Sequence, residues 1–163
     1  MENHNERITR YMEDLHAAER GLMSILEGHL ENKEAPSSIR QICSGVQAAA
    51  HGRMARLEIE LDRRGHNPSS LKDMVNKAAT KLSDLWNIGH DNTDKLTMDL
   101  IKAHAAAHLV HGSYHAFRAY SHSTGERIPA ELAEEGARSS QESAESLLPA
   151  IQGVAGLVSG PAV

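Results

Sequence analysis

Apolar residues in this chain return every three or four positions and almost nowhere alternate, so the building material is amphipathic helix rather than strand. A first helix is predicted over about Asn5–Glu31, with Ile8, Met12, Leu15, Leu22, Ile25 and Leu26 on one side. Glu34-Ala-Pro-Ser-Ser interrupts it. Ser37 or Ser38 is then expected to cap a second helix running to Arg64, with Gly65 as its stop. A shorter helix over about Ser69–Asn87 falls in the connection between Gly65 and Asn92. A long helix, about Thr93–Ser123, closes on Thr124-Gly125. Pro129 suits the first turn of a last helix, which Pro149 is expected to kink or end. This divides the chain into a helical bundle, residues 1–152, and a loose tail, residues 153–163. Four long helices with one long connection between the second and third is the layout of a ferritin-like all-α bundle with a short crossover helix.

What fills the bundle is set by an unusual inventory. One Phe, one Trp and three Tyr leave an aliphatic and small-residue core, while eleven histidines are present, five of them between His104 and His122. The formal net charge of −5 carries no basic stripe, which argues against nucleic acid as a partner. No apolar run reaches the length of a membrane span. A single cysteine, Cys43, can make no internal disulfide, and the first residues lack a signal-peptide pattern; a cytoplasmic location is the expectation.

Three stretches carry a family resemblance. Tyr11-Met-Glu-Asp-Leu-His-Ala-Ala-Glu19, Arg56-Leu-Glu-Ile-Glu-Leu-Asp-Arg-Arg-Gly65, and Tyr114 followed by Gly125, in this order and spacing, resemble the bacterial YciE/YciF-type ferritin-like family over about residues 8–150. The resemblance implies Glu and His on all four long helices, a pair of metal ions between them, and a stress-related setting. Carried over position by position, the first-helix glutamate is Glu19. The second-helix glutamates fall on Ala48 and Ala49, the third-helix pair on Ala107 and Val110 beside His108, and the last-helix pair on Ser139 and Ser140.

The chemistry of the residues leads the same way without any family. A di-iron carboxylate centre needs acids from several facing helices. Between Glu34 and Glu58, and again between Asp99 and Glu126, there are none. No standard di-iron centre is therefore expected. In its place the middle of the bundle holds small residues: Ala49, Ala50, Ala103, Ala107, Gly136, Ala137 and Ser140. Glu19 lies between Leu15 and Leu22 on the inward side and needs a partner if buried. Arg53, three residues after Ala50 and four before Leu57, is the candidate: its charge would stand in for the lost metal. The alternative is that Arg53 reaches the rim and Glu19 is merely hydrated.

His104, His108, His111 and His115, continued by His122, fall on one narrow helical face about 100° from the core stripe of the same helix. His104/His108 and His111/His115 are i, i+4 pairs, a spacing at which two imidazoles reach one transition metal. Zn, Fe or Ni are the ions expected there if the row is a site, with His16, His51 and Glu58 as the available further ligands. The row reads equally as a solvated helix edge, or as a subunit interface loosened by protonation below about pH 6.5. Cys-x-x-Cys, phosphate-loop and nucleophile-elbow motifs are absent. His16 and Glu19 stand one residue too close for a hemerythrin-like pair. Three functions remain: a non-enzymatic ferritin-like bundle with a degenerate di-metal site, a metal-binding protein using the histidine row, and a helical interaction module. Ala-rich helix surfaces lead us to expect a homo-oligomer.

Overall fold

A computed structural model describes residues 3–33, 35–66 and 92–158. Four helices carry all of the regular structure among them: α1 (His4–Glu31), α2 (Ser37–Arg63), α3 (Asn92–Thr124) and α4 (Arg127–Val158). The all-α reading holds. The expected crossover helix, residues 69–87, lies outside the described residues.

Local chemistry sets the helix ends. Asn3 closes a capping box on α1: its Oδ1 accepts from the Glu6 backbone N–H at 2.9 Å, and Glu6 returns the favour to the Asn3 N–H at 3.0 Å. For α2 the cap falls on Pro36, one or two residues before the expected serines, and no side chain caps it. Pro36 is held at φ −53 and ψ 144, an extended entry that needs no hydroxyl to start the turn, so Ser37 is already helical. Gly65 stops α2 at φ 77. The His66 N–H reaches Leu61 O at 3.0 Å and the Gly65 N–H reaches Asp62 O at 2.9 Å, the paired bonds of a Schellman ending. Gly125, at φ 72, does the corresponding work between α3 and α4.

One end of the bundle reveals the topology. Arg64, just past α2, donates from Nε to Glu60 at 3.0 Å, from Nη1 to Asn5 at 2.5 Å, and from Nη2 to Glu126 at 2.5 Å. The start of α1, the end of α2 and the start of α4 therefore meet there. The end of α3 joins them, because the His4 ring and the Tyr120 hydroxyl are hydrogen-bonded at 2.9 Å. The order is up, down, down, up. Since α2 and α3 finish at the same end, the chain must re-enter α3 at the far end of the bundle. Helices α1/α2, α1/α3, α2/α4 and α3/α4 pack side by side, with α3 and α4 in the most extensive association.

The last helix differs from expectation. It runs through Pro149 to Val158, so residues 153–158 are helical and Val154 is buried, while residues 159–163 of the expected tail lie outside the described residues. Pro149 lies on the exposed side. There the carbonyl it leaves unpaired can be hydrated, while Leu147, Ala150 and Val154 hold the helix to the core.

Near the far end of the bundle His29 is buried, with its Nε2 unpartnered among the described residues. Burial pushes its imidazole below the ordinary value of 6.5, against the opposing pull of the Asp99 carbonyl and charge. The folded state therefore resists a proton that the unfolded chain accepts, and stability must fall as pH drops below about 6.5 while staying unaffected by this group above it. Urea denaturation at about pH 7.5 and about pH 5.5 is expected to show a smaller loss of midpoint for His29→Gln than for the native chain.

Candidate functional site

At mid-length, all four helices contribute to one buried polar network. Glu19 on α1 is fully buried, at 0 % exposure, between the apolar layers of Leu15 and Leu22. An isolated carboxylate there would be prohibitively costly. Arg53 on α2 meets it with the flat side of its guanidinium: Nε donates to Oε1 at 2.5 Å and Nη2 to Oε2 at 2.9 Å. The remaining nitrogen, Nη1, donates to Ser139 at 2.9 Å and Ser143 at 3.1 Å, both hydroxyls on α4. From α3, the buried Tyr114 side chain lies close enough to Glu19 for each to shift the other's proton affinity.

Desolvation is the largest influence on Glu19 and pushes its carboxyl upward; Arg53 and Tyr114 pull the other way. A neutral Glu19 would leave the buried guanidinium uncompensated, so the pair stands as carboxylate and cation. Burial and the Glu19 charge push the Tyr114 hydroxyl far above its ordinary value, which keeps it a donor. The pairing of Glu19 with Arg53 anticipated from helical spacing is thus observed, and the rim-seeking alternative is not.

Tyr114 and the two serines were not read from the sequence as members of this network. Gly136 is the signal that could have found Tyr114. A Cβ added at Gly136 would overlap the Tyr114 ring, so the one glycine at the centre of α4 makes the space the tyrosine fills. The small-residue centre is therefore occupied by Arg53 and Tyr114. The open space lies to one side, in a groove of about 400 Å³ between α2 and α4 whose walls include Gly45, Ala49, Ser139 and Ser143.

The positions carried over from the family resemblance divide. Ala107, Val110 and Ser140 are buried, whereas Ala48 is exposed and Ala49 and Ser139 are half-buried. On α2 the inward positions are Val46, Ala50, Arg53 and Leu57, so the inward register is displaced from the carried-over one.

The histidine row lies on the flank of α3, as helical arithmetic predicted. His104 and His111 are half-buried and turn toward α4, with Nδ1 at 3.0 Å from Ala144 O and at 2.9 Å from Ala137 O. His108, His115 and His122 are exposed. Neither His16, His51 nor Glu58 joins the row. His16 is buried against α2, hydrogen-bonded to Glu58 Oε1 at 2.8 Å, and His51 is exposed. Among the described residues no group of three or more His, Cys, Asp or Glu side chains is arranged to hold a metal ion. Cys43 is buried, and desolvation pushes its thiol up to about 11, so it fills the core as a thiol. Among the described residues no helix is long and apolar enough to cross a membrane.

Set against protein-family models, curated proteins and solved structures, the chain matches none.

Two outcomes test the network. Arg53→Met is expected to cost about 3–5 kcal/mol of stability in urea denaturation, and adding Glu19→Leu to recover most of it, because the loss lies in the stranded charge. Gly136→Ala gains helix propensity yet is expected to destabilise by about 1–3 kcal/mol through overpacking, and to cost less than that when introduced into a Tyr114→Ala background.

Proposed function

We propose that this protein is a non-enzymatic ferritin-like bundle in which an arginine has taken the place of a di-metal centre. The observation that carries the proposal is the bidentate contact of Arg53 with Glu19 at the middle of the bundle. In a di-metal bundle, carboxylates from several helices converge on cations at this depth. Here one carboxylate converges on one guanidinium, and the other helices present Tyr114, Ser139 and Ser143 to it.

The donor set does not fit a pair of metal ions. Among the described residues Glu19 is the only acid at the centre, both its oxygens are engaged by Arg53, and neutral hydroxyls are poor exchange for the anionic oxygens a hard cation requires. No redox step is derived for the site. Its chemistry is charge neutralisation at a buried position, which ties α1, α2 and α4 together. The up-down-down-up order, with a long return between α2 and α3, supports the ferritin-like reading, and with it the resemblance to the YciE/YciF-type family and its stress-related setting. In that setting the chain would act through its surface, as a self-associating or partner-binding bundle.

Aerobic addition of Fe(II) to the tag-free protein tests this directly. The expected result is iron oxidation no faster than in buffer and no iron retained at the centre after desalting. Saturable oxidation that Glu19→Gln abolishes would overturn the proposal.

A further inference from the structure

The α3 flank carries the same arrangement twice, and it has no part in the central network. In each i, i+4 pair the inner imidazole is tied to α4 and the outer one is exposed. His104 holds Ala144 O and lies beside His108; His111 holds Ala137 O and lies beside His115. Ring centroids are 4.5 Å apart in both pairs, with the planes nearly perpendicular, at 89° and 85°.

A carbonyl oxygen can only accept, so the proton of each inner imidazole must sit on Nδ1. This leaves Nε2 of His104 and His111 with its lone pair uncommitted to that bond. Such tethering of the far nitrogen to a backbone carbonyl is what orients an imidazole as a metal ligand and raises its basicity. The outer member of each pair, being exposed, can turn to bring its own nitrogen to the same ion.

We propose that His104/His108 and His111/His115 are two separate binding sites for a borderline divalent transition ion such as Zn(II), Ni(II) or Cu(II). The class of ion follows from the donors. Each site offers two imidazole nitrogens. Between Asp99 and Glu126 α3 has no carboxylate to add, which disfavours Mg(II), Ca(II) and Mn(II). Corresponding rings of the two pairs are seven residues apart, about 10.5 Å along the helix, and each inner ring packs at 4.5 Å against the outer ring of its own pair, which makes two sites rather than one. Among the described residues no third protein ligand is arranged nearby, so water completes each coordination sphere and the ions exchange readily.

Isothermal titration of the tag-free full chain with Zn(II) reads the stoichiometry. The expected result is two ions per chain, one in His108→Ala or His115→Ala, and none in the double variant; all these changes are at exposed positions that leave the α4 tethers in place. His122→Ala removes a histidine of the same row that has Arg118 one turn before it, and is expected to retain two. Titration with Mg(II) is expected to show no uptake. Zn(II) uptake that is absent, that survives the double variant, or that amounts to one ion lost in either single variant would overturn the proposal.

Discussion

A fully buried carboxylate in the middle of a helix is a demand that the rest of a protein must meet. Glu19 makes that demand at the centre of this bundle, and each of the other three helices answers it. Arg53 supplies the compensating cation from α2, Ser139 and Ser143 on α4 occupy the guanidinium nitrogen that Glu19 does not use, and Tyr114 on α3 lies beside the carboxylate and favours its charged form. The geometry leaves little freedom. A shift of α2 along its axis by one turn would move Arg53 by about 5 Å and break both bonds to Glu19. The network is best understood as a register device: an apolar layer of similar volume could stabilise as well, but would not choose one alignment so sharply.

The same economy runs toward the ends. Arg64 ties three chain segments together at one end, and three aromatics cluster toward that same end. Tyr11 lies against Phe117 and Tyr120, with Arg7 over the Tyr120 ring. Between α3 and α4 the register is marked twice, by His104 on Ala144 and His111 on Ala137. Both contacts lie seven residues apart on each helix, in opposite senses, as antiparallel neighbours require. Small residues make this closeness possible: Ala103, Ala107, Ala133, Ala137 and Ala144 are all buried. Close approach brings side-chain donors within reach of a neighbouring helix's carbonyls, which bulkier contact residues would hold apart.

Polar chemistry in the molecule is therefore of two kinds. The central network is buried around one ion pair, with the charges of Glu19 and Arg53 set against one another. The histidine flank is half-wet, with one nitrogen of each inner ring fixed and the outer rings exposed. The second kind leaves imidazoles that a solute can reach. That contrast separates the proposed role of the core, which is architectural, from the proposed role of the flank, which is binding.

Helical periodicity alone determined the all-α class, the four long helices and the glycine stops, because burial of an apolar stripe and the positive φ at Gly65 and Gly125 are local requirements. It also predicted the Glu19–Arg53 pair, since both lie on the inward stripes of their helices and a buried carboxylate has few other ways to be compensated. The histidine face was equally legible, as the spacing of five side chains fixes their common direction. The entry into α2 and the length of α4 were not. An N-cap serine competes with the fixed backbone of Pro36. Proline breaks a helix only where the carbonyl it strands cannot be hydrated and packing does not hold the segment. Nor could spacing say that Tyr114 would reach Glu19, that Gly136 would make room for it, or which histidines would turn toward α4. Those choices depend on how closely two helices pack and in what axial register. Such quantities come from the summed fit of many side chains, so only the tertiary structure decides them.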